Sequence, residues 1–347
     1  MANNRPAKGW IRIVSGAALM ALTLAAGAAR ADENLDFYKG KIVRLVNGGA
    51  AGSGYDLYSR MLAPYLEKKL GTTVIVESRP GAGMMTAMNH VAVSPPDGLT
   101  MMLAPGEGAV LAKLVDDPAL RFDLEKYGLL ARVNTAPRVL IVNPNSPYKT
   151  VDDLFKQAKP LQIGANGKTD AASDTSAIFC HALKIQCKIT IGYKSSNDFS
   201  MAAIRGEVDG TILVEDSSAR YASGGQLRGV TVTARERSRL MPNVPTVYEA
   251  VKIDAEATWW LDFREDVRKV GRLLIVPPGM APERLAFLRR VTKEVLTDPD
   301  ALKDFAAKQQ PALYGDPEEI SKIIRNVTNL PPERRKEVKH VIMEKFY

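Results

Sequence analysis

The sequence predicts an α/β chain of two domains, each a mainly parallel sheet flanked by helices. Three observations lead there. Short β-rich runs alternate with amphipathic helical segments, the mark of βαβ units. The alternation falls into two series, one ending near residue 133 and the other running from residue 139 to 233. A lone strand pattern at 272–276 comes after both, with only helical patterns behind it. Having no later partner, that strand is expected to return to the first sheet. The first domain is then discontinuous (32–137 and a mostly helical return segment, 269–347), and 138–268 is inserted into it. Two chain crossings of this kind are typical of clamshell proteins that close on a ligand by hinge motion.

The elements follow in order. Lys41–Val46 is a strand that stops at Asn47-Gly-Gly-Ala-Ala-Gly-Ser-Gly54, and Leu57, Met61, Leu62, Tyr65, Leu66 and Leu70 share one face of the helix after it. A strand at Thr73–Glu77 ends in Arg79-Pro-Gly-Ala-Gly83 before a helix over Met84–Val93, and Thr100–Leu103 and Leu129–Val133 are further strands. The second series opens with a strand at Val139–Asn143 and a helix at Val151–Ala158 capped by Thr150. Strands at Leu161–Ala165, Lys188–Gly192, Gly210–Val214 and Gly229–Thr233 are spaced by helices at Ala172–Leu183 and Asp198–Arg205. After Arg272–Val276, helical patterns cover Pro282–Thr297, Ala301–Lys308, Pro317–Val327 and Pro332–Phe346.

Composition excludes several classes. With 46% hydrophobic and 25% charged residues the chain is ordinary globular protein, not a disordered or low-complexity one. Residues 1–31 read as a secretory signal peptide: Arg5, Lys8 and Arg12, then an apolar stretch over Ile13–Ala29, then a small-x-small site at Ala29-Arg-Ala31. Cleavage after Ala31 would leave an exported protein. The leader has no Arg-Arg pair and no Cys stands directly after the site, so neither a twin-arginine signal nor a lipid anchor is expected. The leader carries four basic residues and no acidic one, so its removal lowers the net charge from +8 to +4. The remaining basic residues are scattered with few aromatics between them, which argues against a nucleic-acid partner.

Three His and two Cys cannot build a multi-ligand metal site, and neither a metal nor a cofactor is expected. Cys180 and Cys187 fit either a disulfide closing a small loop or two buried thiols. Catalytic signatures fail on spacing. No GxGxxG, P-loop, GxSxG or HExxH pattern occurs. Ser146-Pro-Tyr-Lys149 matches SxxK, but Pro147 and the Thr150 cap put it ahead of a helix, where Ser and Lys do not share a face. His90 and His181 fall inside amphipathic helices and His340 in a charged one, with no nucleophile beside any of them. No catalytic residue is assigned.

The strand ends carry the functional reading. In open α/β sheets ligands bind beyond the carboxyl ends of the strands. Two such ends, Asn47–Asp56 and Ala165–Ser176, are Gly-rich or polar and run straight into helices. Helix N-termini present unpaired N–H groups and a positive dipole end, which suits a carboxylate. The first loop is much longer than a βα turn needs.

These loops carry a resemblance. Asn47-Gly-Gly-Ala-Ala-Gly-Ser-Gly-Tyr-Asp-Leu-Tyr-Ser-Arg60, Val76-Glu-Ser-Arg-Pro-Gly-Ala-Gly83, Pro96-Asp-Gly-Leu-Thr100, Arg205-Gly-Glu-Val-Asp-Gly210, Pro242-Asn-Val-Pro-Thr246 and Gly271–Gly279 resemble, in order, the substrate-binding proteins of tripartite tricarboxylate transporters, the Bug receptors. The resemblance implies a two-domain periplasmic binding protein, monomeric, that captures a small organic acid and delivers it to membrane permease subunits. By position it implies a ligand site of Asn47, Gly49, Gly54, Tyr55 and Asp56 from the first loop and Asn166, Thr169, Ser173, Asp174 and Thr175 from the second. Tyr193 and Glu215 would line the wall of the second domain. The chain departs from the family pattern in having Ser173-Asp-Thr-Ser176 in the second loop. Asp170, Asp174, Glu215 and Asp216 would repel a polyanion unless they cap helices, face solvent or meet an amine on the ligand. A monocarboxylate, an aromatic acid and an amino acid all stay open beside a di- or tricarboxylate. An exported hydrolase or transferase, and a periplasmic sensor using the same site, are the alternatives.

Overall fold

In a computed structural model, residues 34–156 and 158–347 are described; the proposed leader lies outside them. Strands β1 (Ile42–Asn47), β2 (Thr73–Ser78), β3 (Thr100–Pro105) and β4 (Gly128–Asn134) come first. After them come β5 (Arg138–Val142), β6 (Leu161–Gly164), β7 (Cys187–Thr190), β8 (Gly210–Val214) and β9 (Arg228–Val232), with β10 (Arg272–Val276) last.

They form two five-stranded sheets, ordered β2-β1-β3-β10-β4 and β7-β6-β8-β5-β9. β1 runs parallel to β2 and β3, while β10 is antiparallel to both β3 and β4. In the second sheet β6 is parallel to β7 and β8, and β5 is antiparallel to β8 and β9. Each sheet is therefore mixed, with one reversed strand among four that share a direction. The late strand does return to the first sheet, where it lies between β3 and β4. β3, β5 and β10 are buried along their whole lengths, as continuous apolar runs covered on both faces should be.

Helix α1 (Gly54–Leu70) starts where Ser53 Oγ accepts from Asp56 N and ends at Gly71, whose φ of 64° is the left-handed cap that favours glycine. The next two helices are α2 (Met85–Ala92) and α3 (Gly106–Leu114). Of α3, every residue except Lys113 is buried. It has no polar face, and its pattern is illegible as an amphipathic period. The second sheet carries α4 (Val151–Phe155), α5 (Ala171–Ala182), α6 (Ser196–Arg205), α7 (Glu215–Ser223), α8 (Val247–Ala250) and α9 (Ala255–Arg268). Cys180 and Cys187 are joined in a disulfide that ties the end of α5 to β7.

Helices α10 (Pro282–Thr297) and α11 (Pro299–Ala307) cover the first sheet, burying Phe287, Leu288 and Phe305 with Tyr58, Leu62 and Leu66 of α1. The last two, α12 (Pro317–Thr328) and α13 (Pro332–Met343), lie against α3, α5 and α9. Phe346 O accepts from Ile189 N of β7, and Tyr347 bonds to Ser173 of α5. The end of the return segment thus rests on the second sheet. Trp260, fully buried, sits in the core these helices share.

Candidate functional site

A cleft of about 680 Å³, counted to its open mouth, lies between the two sheets. Its walls come from the strand ends. Gly54 and Tyr55 follow β1, Gly83 and Met84 follow β2, and Glu107 and Gly108 follow β3. From the second sheet come Asn166 and Asp170–Ala172 after β6, Ser196 and Phe199 after β7, and Ser217 after β8. The first turns of α1, α3, α5, α6 and α7 therefore all converge on one space, with their unpaired N–H groups and positive dipole ends. Ala82, Gly83 and Met84 hold φ of 47°, 61° and 75°. Such a run of left-handed backbone, two of it non-glycine, is strained and persists only where surrounding structure imposes it.

The cations arrive by another route. Arg138 is the first residue of β5 and Arg272 the first of β10, the two reversed strands. A reversed strand brings its amino end to the same edge where its neighbours bring their carboxyl ends. Arg138 Nε and Nη2 donate to Glu107 Oε2 and Oε1 at 3.2 and 3.1 Å. Arg264 of α9 donates to Glu107 Oε2 at 2.7 Å and to Asp174 Oδ1 at 2.6 Å. Burial alone would raise the Glu107 carboxyl, but the two guanidinium groups outweigh it and hold it at about 2. For Asp174 burial wins over Arg264 and Arg138 and lifts it to about 6.

Arg272 donates to Asp216 Oδ2 at 2.9 Å and lies over the rings of Tyr58 and Tyr55, 4.4 and 5.3 Å from their centroids. A Cβ at Gly54 would sit 3.4 Å from Arg272 Nη2 and 3.3 Å from Ser217 Oγ. Gly54, Arg272 and Ser217 therefore meet at one end of the cleft.

Of the residues expected from sequence, Gly54, Tyr55 and Asn166 line this cleft. The others do not line it, and they shape the loops behind it. Asn47 Oδ1 accepts from Gly49 N at 2.9 Å, and a Cβ at Gly49 would lie 2.2 Å from Ser53 Oγ. Asp56 accepts from Gly52 N, Arg60 Nε and Ser78 Oγ, which ties the first loop to β2. Thr169 donates to Asp117, and Thr175 to the Ala171 carbonyl. Ser173 bonds Tyr347, and Tyr193 packs edge-on against Phe199. Glu215 accepts from Ser238 Oγ and Arg239 N, facing a different cavity with Arg237 and Arg268. Sequence reasoning missed Glu107, Arg138, Arg272 and Ser217. Ser146 Oγ accepts from Tyr148 N in a turn, and Lys149 is not brought to it in a catalytic pairing. Among the described residues no group of His, Cys, Asp or Glu is placed to hold a metal ion, and no helix is long and apolar enough to cross a membrane.

The walls touch through glycines. A Cβ at Gly108 would stand 2.6 Å from the Thr169 carbonyl oxygen across the cleft. We expect Gly108→Ala to push the walls apart and weaken solute binding by tenfold or more, while the free protein melts within a few degrees of wild type. Calorimetric titration checks it, and unchanged affinity would show that this contact does not govern binding.

Asp174 sets a pH dependence of stability. Its carboxyl is raised on folding, so the folded state holds the proton more tightly than the unfolded chain. The resulting penalty is absent below about pH 4, grows as pH rises toward 6 and is complete above it, on the order of 3 kcal/mol. Glu107 works in the opposite sense and at lower pH: its contribution is present above about 4.5 and lost as pH falls through 2. In Asp174→Asn the fall in melting temperature from pH 4.5 to 7 should be smaller than in wild type. Parallel curves for the two proteins would contradict the assignment.

Two mixed sheets with a cleft between their strand ends are the architecture of two-domain α/β solute-binding proteins. Residues 58–336 match the model of the tripartite tricarboxylate transporter family receptor, TctC, and the chain belongs to that family. It is similar to protein BugT of Bordetella pertussis, 23% identical over 306 residues that cover 87% of this chain and 90% of BugT. Two solved structures share the fold. MatC from Rhodopseudomonas palustris with bound malate has a TM-score of 0.72 at 20% identity, covering 88% of this chain and 100% of MatC. An R. palustris protein with adipate has a TM-score of 0.72 at 19% identity, covering 88% and 98%.

Proposed function

We propose that this receptor is exported to the periplasm, by cleavage after Ala31, and there closes on a small organic acid. It then delivers that acid, as a monomer, to the permease subunits of a tripartite tricarboxylate-type transporter. The convergence of helix N-termini with Arg272 at one end of the cleft carries the reading, because that end offers a carboxylate backbone N–H donors and a guanidinium that gives Asp216 one bond through Nη1 and turns Nη2 toward Gly54. The malate and adipate held by the two structural relatives agree with a carboxylate ligand. Two of the acids that seemed to oppose an anion are paired within the fold, Asp174 with Arg264 and Asp216 with Arg272, while Glu215 accepts from Ser238 and Arg239 N–H and faces a different cavity. A thermal-shift screen of residues 32–347 against carboxylates, amino acids and neutral controls tests this. A ligand that binds only the folded state adds about 2.7 kcal/mol at a hundredfold excess over its Kd. A rise with carboxylate-bearing compounds alone supports the reading. A rise only with uncharged compounds or simple amines overturns it.

A further inference from the structure

The charges around the cleft do not cancel. Glu107 is matched by Arg138 and Arg264, Asp174 by Arg264, and Asp216 by Arg272. Asp170 lines the same cleft, is 8% exposed and has no ion pair among the described residues. Asp170 stands at the N-cap of α5, and its carboxylate is held by backbone N–H groups alone, Oδ2 by Asn166 N at 3.2 Å and a further contact from Ala172 N. Burial pushes its carboxyl up and outweighs Arg138, which acts on it only through space and is already engaged with both oxygens of Glu107. Asp170 belongs to the wall away from Arg272. A Cβ at Gly83 would come within 3.7 Å of Asp170 N, whereas Arg272 stands beside Gly54 and Ser217. The cleft is therefore bipolar in its charges, with the Arg272 guanidinium at one end and, at the other, a buried carboxylate that backbone N–H groups hold but no cation matches. A buried charge without a partner is costly, and a solute that supplies the partner gains what the fold leaves unmet.

We propose that the solute is an amino acid or related aminocarboxylate, its carboxylate at the Arg272 end and its ammonium on Asp170. This rests on the receptor reading above and narrows it. A simple dicarboxylate would set its second anion beside Asp170, and like charges in a dry site disfavour each other strongly. A hydroxyl would give Asp170 one hydrogen bond and leave its charge unmatched.

Matched pairs of acids test the proposal on residues 32–347 by calorimetric titration: aspartate against succinate, glutamate against glutarate, and 4-aminobutyrate against butyrate. In at least one pair the amino member should bind tenfold or more tightly than its deaminated partner. Asp170→Asn, nearly isosteric and well tolerated at a helix N-cap, should erase that preference and strengthen binding of the deaminated acid. The wild-type comparison needs no variant, so misfolding of Asp170→Asn would leave it intact. Deaminated acids binding as well as or better than their amino partners would overturn the proposal while the carboxylate receptor stands. A preference that survives in a folded Asp170→Asn would also overturn it. If neither member of any pair binds while uncharged compounds do, the carboxylate reading falls together with it.

Discussion

Replacing Glu107 with Ala should destabilise the protein by about 3–5 kcal/mol, the usual cost of leaving buried charges without their partner. The carboxylate bridges Arg138 on the second sheet and Arg264 on α9, from a helix that follows the first sheet. Removing it strands two guanidinium groups in a site where Arg264 Nη1 and Asp174 Oδ2 already lack partners. At roughly 2–4 °C per kcal/mol, the scale for domains somewhat smaller than this chain, the melting temperature should fall by on the order of 10 °C. Glu107→Gln keeps the shape and one acceptor, so it should fall between wild type and Ala. Thermal melts of the three proteins decide it. An Ala variant within 2 °C of wild type would mean that the network is solvated and holds little.

The second large effect belongs to Arg272. Arg272→Met should weaken binding of whichever carboxylate the screen identifies by about thirtyfold or more, matching the 2–5 kcal/mol cost of truncating one partner of a buried charged pair. The same change leaves Asp216 buried without its cation and lowers stability, so the single variant confounds binding with folding. The double variant Arg272→Met/Asp216→Leu separates them. Replacing a buried ion pair by apolar side chains of similar size is often neutral or stabilising. The double variant should therefore recover the melting temperature and not the affinity. Recovery of both would show that Arg272 is a structural cation and that the helix N-termini hold the solute without it.

Much of the frame was legible from residues alone. Alternating β-rich runs and amphipathic faces located all ten strands to within about two residues, and the lone strand at 272–276 could only pair backwards. Four helices, α3, α7, α8 and α9, escaped. α3 is buried everywhere except at Lys113, and α7, Glu215–Ser223, is too polar to show an apolar stripe although most of it is buried.

The site was legible only in part, for a geometric reason. Searching the carboxyl ends of strands found the loops that build the cleft but not Arg138 or Arg272, which enter at the amino ends of β5 and β10. Nothing local marks those strands as reversed; their direction follows from where they insert between distant neighbours. The same holds for the acids in the second loop. Asp174 reads as a repulsive carboxylate until Arg264, 90 residues away, is seen to hold it, and Asp216 meets Arg272 across 56 residues.

The sequence by itself determined the order of the ten strands, the glycine-rich loop before α1 and the near neutrality of the chain once its leader is set aside. Those features depend on neighbours a few residues apart, where side-chain periodicity and backbone freedom act. Only the tertiary structure decided which charges cancel and which one, Asp170, is left facing the cleft. Charge balance in a buried site depends on side chains brought together from remote segments, and no local pattern records them.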